Sequence, residues 1–312
     1  MDPQSKKTAL RMIPYGLYVL TAESPTGAVA ASTVNWVTQA SFEPPLVAVG
    51  VKKDSGAHAL IQEALTERSH RAARLCGAAR FELARTRLGD APAIAVREGP
   101  FSRRGGGVYI FRRGAVPRER LVQIPHSFFD VGTLELGMEL AAVAQARALF
   151  VNTVHRFQGG RPQPGEDDQP VDAPADLAHQ ELTFFQGFTI AALAALPQLQ
   201  VIQLHGFADG GVPECPQALV VVSPGAAPAG AAEAAQVSER LGALFGPDKV
   251  LLYPRDTRRY GAQRNVQGRA VAAAGRGTFL HIELSHTLRT RLSDDGALRR
   301  AFIAAVIGGG AQ

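Results

Sequence analysis

Three short apolar runs in the second half of the chain each end on a residue able to bind a metal or move a proton. His126 follows Leu-Val-Gln-Ile-Pro, His205 follows Gln-Val-Ile-Gln-Leu, and Glu283 ends Thr-Phe-Leu-His-Ile. Such runs read as strands, and open α/β sheets bind ligands at the carboxyl ends of their strands. One histidine at a strand end is ordinarily satisfied by its neighbours, but two histidines and a glutamate delivered to one edge make a site. Neutral imidazoles and a carboxylate are the donors of a catalytic zinc, which keeps one position open for water. Such a metal lowers the pKa of its water, and a nearby carboxylate can take the proton as the water attacks a carbonyl.

The elements that must position these residues alternate along the chain. Strands are expected at 121–125, 148–154, 199–204, 218–222, 250–253 and 278–283, with helices at 132–147, 182–196, 229–245, 265–274 and 287–307. Apolar strands separated by helices predict a three-layer α/β/α domain over residues 100–312 with a mostly parallel sheet. The stretch 157–176, rich in Gly, Pro and Asp, breaks that pattern, and so long a loop is either disordered or functional. Residues 66–99 are expected to be an Arg-rich helical linker, with Leu75, Ala79, Leu83 and Leu88 on one stripe. Residues 1–65 carry short β-branched runs at 17–21, 27–37 and 46–51 and a helix at 57–65, too little to bury a core alone.

The settings Pro125-His126-Ser127, Leu204-His205-Gly206 and His281-Ile282-Glu283-Leu284 are similar to motifs of the N-formylglutamate amidohydrolase group and of zinc carboxypeptidase-like hydrolases. The resemblance runs over about residues 100–310. It implies that His126 and His205 bind zinc, that Glu283 is the general base, and that the substrate is an acylated amino acid or small peptide. The carboxypeptidases take a further ligand three residues after the first histidine, where this chain has Phe129. Asp130 is the nearest carboxylate, and it reads either as that ligand or as an N-cap of the following helix; Glu135 is a more distant substitute. Asn152, His155 and Arg156 fall at the end of the 148–154 strand. Asn152, Arg156 and Arg264 are candidate substrate contacts, with Arg156 clamping a carboxylate or pairing with the acidic 166–168 loop. Asp176 and His179 read as caps or as supports behind the site, and His286 as a cap or a solvent-facing residue.

The beginning of the chain carries a different signature. The strings from Arg11 to Thr21 (RMIPYGLYVLT) and from Ala31 to Ser55 (ASTVNWVTQASFEPPLVAVGVKKDS) closely resemble the opening of FMN-binding split-barrel flavin reductases. That resemblance covers about 63 residues and implies FMN as a second cofactor. Ser32, Thr33, Val34, Asn35 and Thr38 would face the flavin, and Lys52, Lys53 and Ser55 its phosphate. It also implies a homodimer, because split barrels commonly complete the flavin site across two copies. The sequence that closes such a barrel does not follow, so the segment reads either as a working flavin site or as a remnant fused to the larger domain.

Composition bounds the rest. Hydrophobic residues make up 46% and charged residues 20%, as in ordinary globular proteins. No apolar run reaches the roughly 18 residues of a membrane span, and residues 1–7 lack a signal-peptide core, so a cytoplasmic location is expected. The net charge of +5 has one source: nine arginines face four carboxylates between residues 66 and 104, an excess equal to that of the whole chain. Without interleaved aromatics such a stretch is a solvated face, and nucleic-acid binding is not expected. Cys76 and Cys215 fit no zinc or disulfide spacing. A nucleophile elbow and a P-loop are both absent from the sequence.

Overall fold

The protein was analysed as a computed structural model, in which residues 18–23, 29–34, 37–42, 45–49, 51, 54–57, 59, 80–99, 105–160 and 173–308 are described. The chain divides into two compact units, Met1–Ala78 and Ala79–Gln312.

In the first unit, β1 (Tyr18–Glu23) pairs antiparallel with β2 (Val29–Val34), and β3 (Val37–Phe42) with β4 (Pro45–Val49). The β2 residues alternate between exposed and partly covered until Val34, which is buried. Of the residues matched to a flavin site, Ser32, Thr33 and Val34 lie in β2 and Thr38 in β3, while Asn35, Lys52 and Lys53 lie outside the described residues.

The second unit is built on a sheet of nine strands. These are β5 (Phe81–Leu88), β6 (Ala91–Glu98), β7 (Val108–Arg112), β8 (Arg120–Ile124), β9 (Ala148–Val151), β10 (Gln200–Phe207), β11 (Val220–Ser223), β12 (Val250–Leu252) and β13 (Thr278–Ser285). Their spatial order is β12-β11-β13-β10-β8-β9-β7-β6-β5. The centre follows the expected parallel arrangement, with β13, β10, β8 and β9 all parallel. The margins are antiparallel: β11 runs against β13, and β7, β6 and β5 form a meander beside β9.

Among the described residues, six helices cover the sheet: α1 (Thr133–Val143), α2 (Phe184–Ala195), α3 (Ala231–Phe245), α4 (Val266–Ala274), α5 (His286–Asp294) and α6 (Gly296–Ile307). Helices α1, α3, α5 and α6 share one face, where Val122, Ile124, Ile202, Leu204, Leu280 and Ile282 meet Leu136, Leu140, Leu241, Leu288 and Phe302 in a continuous apolar core. Helices α2 and α4 pack together over the other face. Burial there combines the rings of Tyr109, Phe150, Phe185 and Phe279 with the amides of Gln123, Gln186, Gln203 and Gln267. The single helix expected at 287–307 is two, because Asp295 stops α5 and caps α6 by accepting hydrogen bonds from the N–H groups of Ala297 and Leu298.

The helical linker expected at 66–99 is corrected over the part that is described. Residues 81–98 form the hairpin of β5 and β6, joined at Gly89-Asp90 with Gly89 at φ 59°. Arginines 85, 87 and 97 point to solvent there, and Arg97 pairs across the strands with Glu82 at 2.7 Å. The three arginines of this hairpin are matched by Glu82, Asp90 and Glu98, so the hairpin itself carries no excess charge. Among the described residues no helix is long and apolar enough to cross a membrane.

Candidate metal centre

Strands β8, β10 and β13 are parallel neighbours, so all three present their carboxyl ends at one edge. Their register sets Gln203 beside both Gln123 and His281, and His205 beside Glu283. Side chains alternate across a strand, which places Gln123, Gln203, His205, His281 and Glu283 on the α2/α4 face, while Ile124, Ile202, Leu204 and Ile282 enter the apolar core opposite.

His126 lies two residues beyond β8, where the chain turns. The N–H groups of Phe129 and Asp130 both donate to the His126 carbonyl, at 2.9 and 2.8 Å, and this turn returns Asp130 to the side of His126. The N-cap alternative for Asp130 is thereby excluded. Helix α1 is preceded by Gly132 in a left-handed conformation with no side-chain cap. The Asp130 carboxylate points instead at His126 Nδ1 (3.5 Å) and His205 Nδ1 (3.6 Å), and its Oδ2 is buried without a hydrogen-bond partner. Glu135 is exposed on α1.

The two imidazoles converge through the same atom. His126 Nε2 lies 2.8 Å from Asp176 Oδ1, and an ionised carboxylate only accepts, so this nitrogen carries the hydrogen. His205 Nε2 lies 2.8 Å from Gln203 Oε1. The remaining nitrogens, His126 Nδ1 and His205 Nδ1, are 3.1 Å apart and face Asp130 Oδ2. Two nitrogen donors and an anionic oxygen at that spacing need positive charge between them, either a proton or a metal ion. The set fits zinc: two imidazoles, a carboxylate, and an orphaned oxygen that a cation would satisfy.

Electrostatics agree with that reading. Burial works against the Asp130 anion, yet the His126 and His205 imidazoles beside it hold its carboxyl well below the usual range. Burial lowers the pKa of His205, partly offset by Asp130, and favours the neutral form that offers a lone pair. Glu283 is pushed well above the usual carboxylate range, first by burial and then by the Asp130 charge. Its Oε2 has no hydrogen-bond partner, and its Oε1 lies 3.6 Å from His281 Nε2.

These residues line a cleft of ≈ 670 Å³ whose wall also includes Phe129, Arg156, Tyr260 and Arg264. Arg156 donates to Asp176 Oδ2 at 2.6 Å, and its guanidinium lies over the rings of Phe129 (5.3 Å) and Phe157 (5.1 Å). Its Nε is buried and unpartnered. The ion-pair alternative for Arg156 holds in form, but the partner is Asp176. His179 also leans on Asp176, with Nδ1 3.1 Å from both oxygens. Asp176 thus supports His126 and Arg156 together, the role behind the site that the sequence left open.

Asn152 is a correction. It is fully buried and does not line the cleft, because its amide donates to the carbonyls of Pro125 (2.8 Å) and Ala175 (2.9 Å) and accepts from the Val154 N–H. It ties the segment carrying His126 to the segment carrying Asp176, and its NH2 group has no hydrogen left for a substrate. His155 is exposed against Phe129 and Phe157, and His286 is exposed behind the true α5 cap, Ser285. Two site residues went unassigned from sequence, His281 and Gln203. Each lies two positions before a residue that was chosen, and that period of two was the available signal.

Comparison with known proteins gives three results. The sequence model of the flavin reductase like domain family matches residues 10–76, less than half of the chain. No curated protein matches. Among solved structures, the chain is similar to a bacteriophage poly-gamma-glutamate hydrolase (14% identity, TM-score 0.40, covering 64% of this chain and 86% of that one). It is also similar to N-formylglutamate amidohydrolase from Ralstonia eutropha JMP134 (14% identity, TM-score 0.40, 65% and 96%). A third likeness is to a carboxypeptidase from Burkholderia mallei (13% identity, TM-score 0.38, 94% and 77%). At such values the likeness is one of outline, and the chemistry has to be argued from the residues of this chain.

Proposed function

We propose that the second unit is a zinc-dependent hydrolase of amide bonds. One observation carries the reading: the Nδ1 atoms of two buried histidines meet 3.1 Å apart beside the unpartnered Asp130 Oδ2, at the wall of an open cleft. His126, Asp130 and His205 would hold the ion. A zinc ion there would supply a Lewis acid for the scissile carbonyl and bring the pKa of a coordinated water to about 7. Glu283, on the same strand edge with one free oxygen, accepts the proton and passes it to the leaving nitrogen. Arg156, pinned by Asp176 and two aromatic rings, receives the carboxylate of an acylated amino acid or small peptide, with Arg264 further along the cleft.

The test is metal analysis followed by assay on a panel of N-acyl amino acids. About one zinc per chain, with hydrolysis abolished by a chelator and restored by zinc, is the expected result. A protein that takes up no zinc and hydrolyses none of the panel overturns the proposal.

The family match over residues 10–76 favours a second, separate reading in which the first unit binds FMN. A visible spectrum of the same sample tests it, because bound flavin is yellow. A colourless protein that ignores added FMN excludes it.

A further inference from the structure

We infer that Gln203 is a positioning residue, held by a buried amide network so that His205 can offer only Nδ1 to a metal. The inference rests on the metal-centre reading for its consequence, though not for its geometry.

Gln123, Gln186, Gln203 and Gln267 are buried between the sheet and helices α2 and α4, together with Thr189 and Asn265. An amide side chain can be turned either way, so a chain of amides has a direction only if its ends are fixed. Here every branch ends on a backbone group, whose polarity cannot reverse. Gln267 Nε2 donates to the Leu177 carbonyl (2.9 Å) and to Gln186 Oε1 (3.0 Å), which leaves Gln267 Oε1 as an acceptor. Thr189 gives its hydroxyl hydrogen to the Phe185 carbonyl, so it accepts from Gln123 Nε2 (2.8 Å), and Gln123 Oε1 is likewise an acceptor. Gln203 Nε2 therefore donates both its hydrogens, to Gln123 Oε1 (3.0 Å) and Gln267 Oε1 (3.2 Å).

The other end is fixed in the same way. Asn265 Oδ1 accepts from the Gly268 N–H as the cap of α4, so Asn265 Nδ2 donates to Gln203 Oε1. Gln203 Oε1 can then only accept from His205, and His205 Nε2 must carry the hydrogen. Its lone pair lies on Nδ1, facing His126 and Asp130. The direction set by backbone groups of two helices and their flanking loop passes through amides to the orientation of one ring nitrogen. Without the acceptor, the Nδ1–H form can donate to Asp130 instead, and that proton must leave before a metal enters.

The experiment uses the full chain with ¹⁵N-labelled histidine, the His205 resonances being assigned from a His205→Gln sample. Histidine nitrogen shifts are read at pH 8 without metal, and zinc affinity is measured by competition with a chelator. The wild type should show His205 in the Nε2–H form. Gln203→Met should lose that preference and bind zinc about 10–100-fold more weakly.

An Nδ1–H form in the wild type overturns the inference, as does a folded Gln203→Met with unchanged affinity. Should Gln203→Met fail to fold, the wild-type shifts alone decide. Should the wild type bind no zinc, the metal reading fails, while the tautomer still decides the part played by Gln203.

Discussion

His126 Nε2 lies 2.8 Å from Asp176 Oδ1, and the second oxygen of that carboxylate holds Arg156 at 2.6 Å. One side chain thereby sets both the face that His126 turns to the metal position and the place of the cation that would receive substrate. The carboxylate survives its burial because His126, His179 and Arg156 surround it, and they hold its pKa far below the usual range.

Asp176→Asn keeps the shape and removes the charge. A neutral amide can still accept from His126, but its NH2 group then faces the Arg156 guanidinium. The expected outcome is zinc affinity about 10–100-fold weaker with raised KM for anionic substrates, checked by chelator competition and steady-state kinetics. Unchanged values of both would show that Asp176 is only part of the scaffold.

Glu283→Gln separates metal binding from proton transfer. Glu283 lies outside the His126, Asp130 and His205 set proposed to hold the ion, although with His205 and His281 it forms a second group of converging donors, and its Oε2 has no hydrogen-bond partner. Replacing it by the isosteric amide should leave zinc content at the wild-type level and lower kcat by about 10²–10⁴-fold. A variant with full activity would remove Glu283 from the chemistry.

Much of this was legible in sequence because period two and position in a strand are local properties. His126, His205 and Glu283 could be read from runs that end on the same edge, and the order of strands and helices from 120 onward follows the expected alternation. What was not legible depends on contacts through space. A carboxylate just before a helix reads equally as a cap or a ligand, and only the turn closed by the His126 carbonyl decides for Asp130. Asp176 lies 50 residues beyond His126, a spacing that no local pattern could capture. The hairpin of β5 and β6 read as helix because Arg, Ala and Leu are strong helix formers, and sheet pairing with β7 outweighs that preference. The Gly89-Asp90 turn was the overlooked cue.

Asn152→Ala tests the brace behind the site. The change strands the Pro125 carbonyl, while the Ala175 carbonyl loses one of two donors and keeps the Leu177 N–H. Each buried polar group left unsatisfied costs about 1–3 kcal/mol, so the urea midpoint should fall clearly. Zinc affinity should fall with it, because the two segments tied by Asn152 carry His126 and Asp176. A loss of stability with unchanged affinity would show that the segments hold their places without it.

Gly277 and Gly275 separate two reasons for a glycine, one conformational and one steric. Both have positive φ, 75° and 61°, in the turn between α4 and β13, the strand that carries His281 and Glu283. A Cβ on Gly275 would meet open space, whereas one on Gly277 would sit 2.5 Å from the Leu199 carbonyl oxygen. That carbonyl accepts from the Thr278 N–H at 3.0 Å and so helps to start the pairing of β13 with β10. Gly275→Ala carries only the left-handed backbone penalty of about 1–2 kcal/mol. Gly277→Ala adds a clash against backbone, which cannot rotate away as a side chain can, and should destabilise by more. Paired urea melts of the two variants measure the difference, and equal losses would mean that the start of β13 can shift to accept a methyl group.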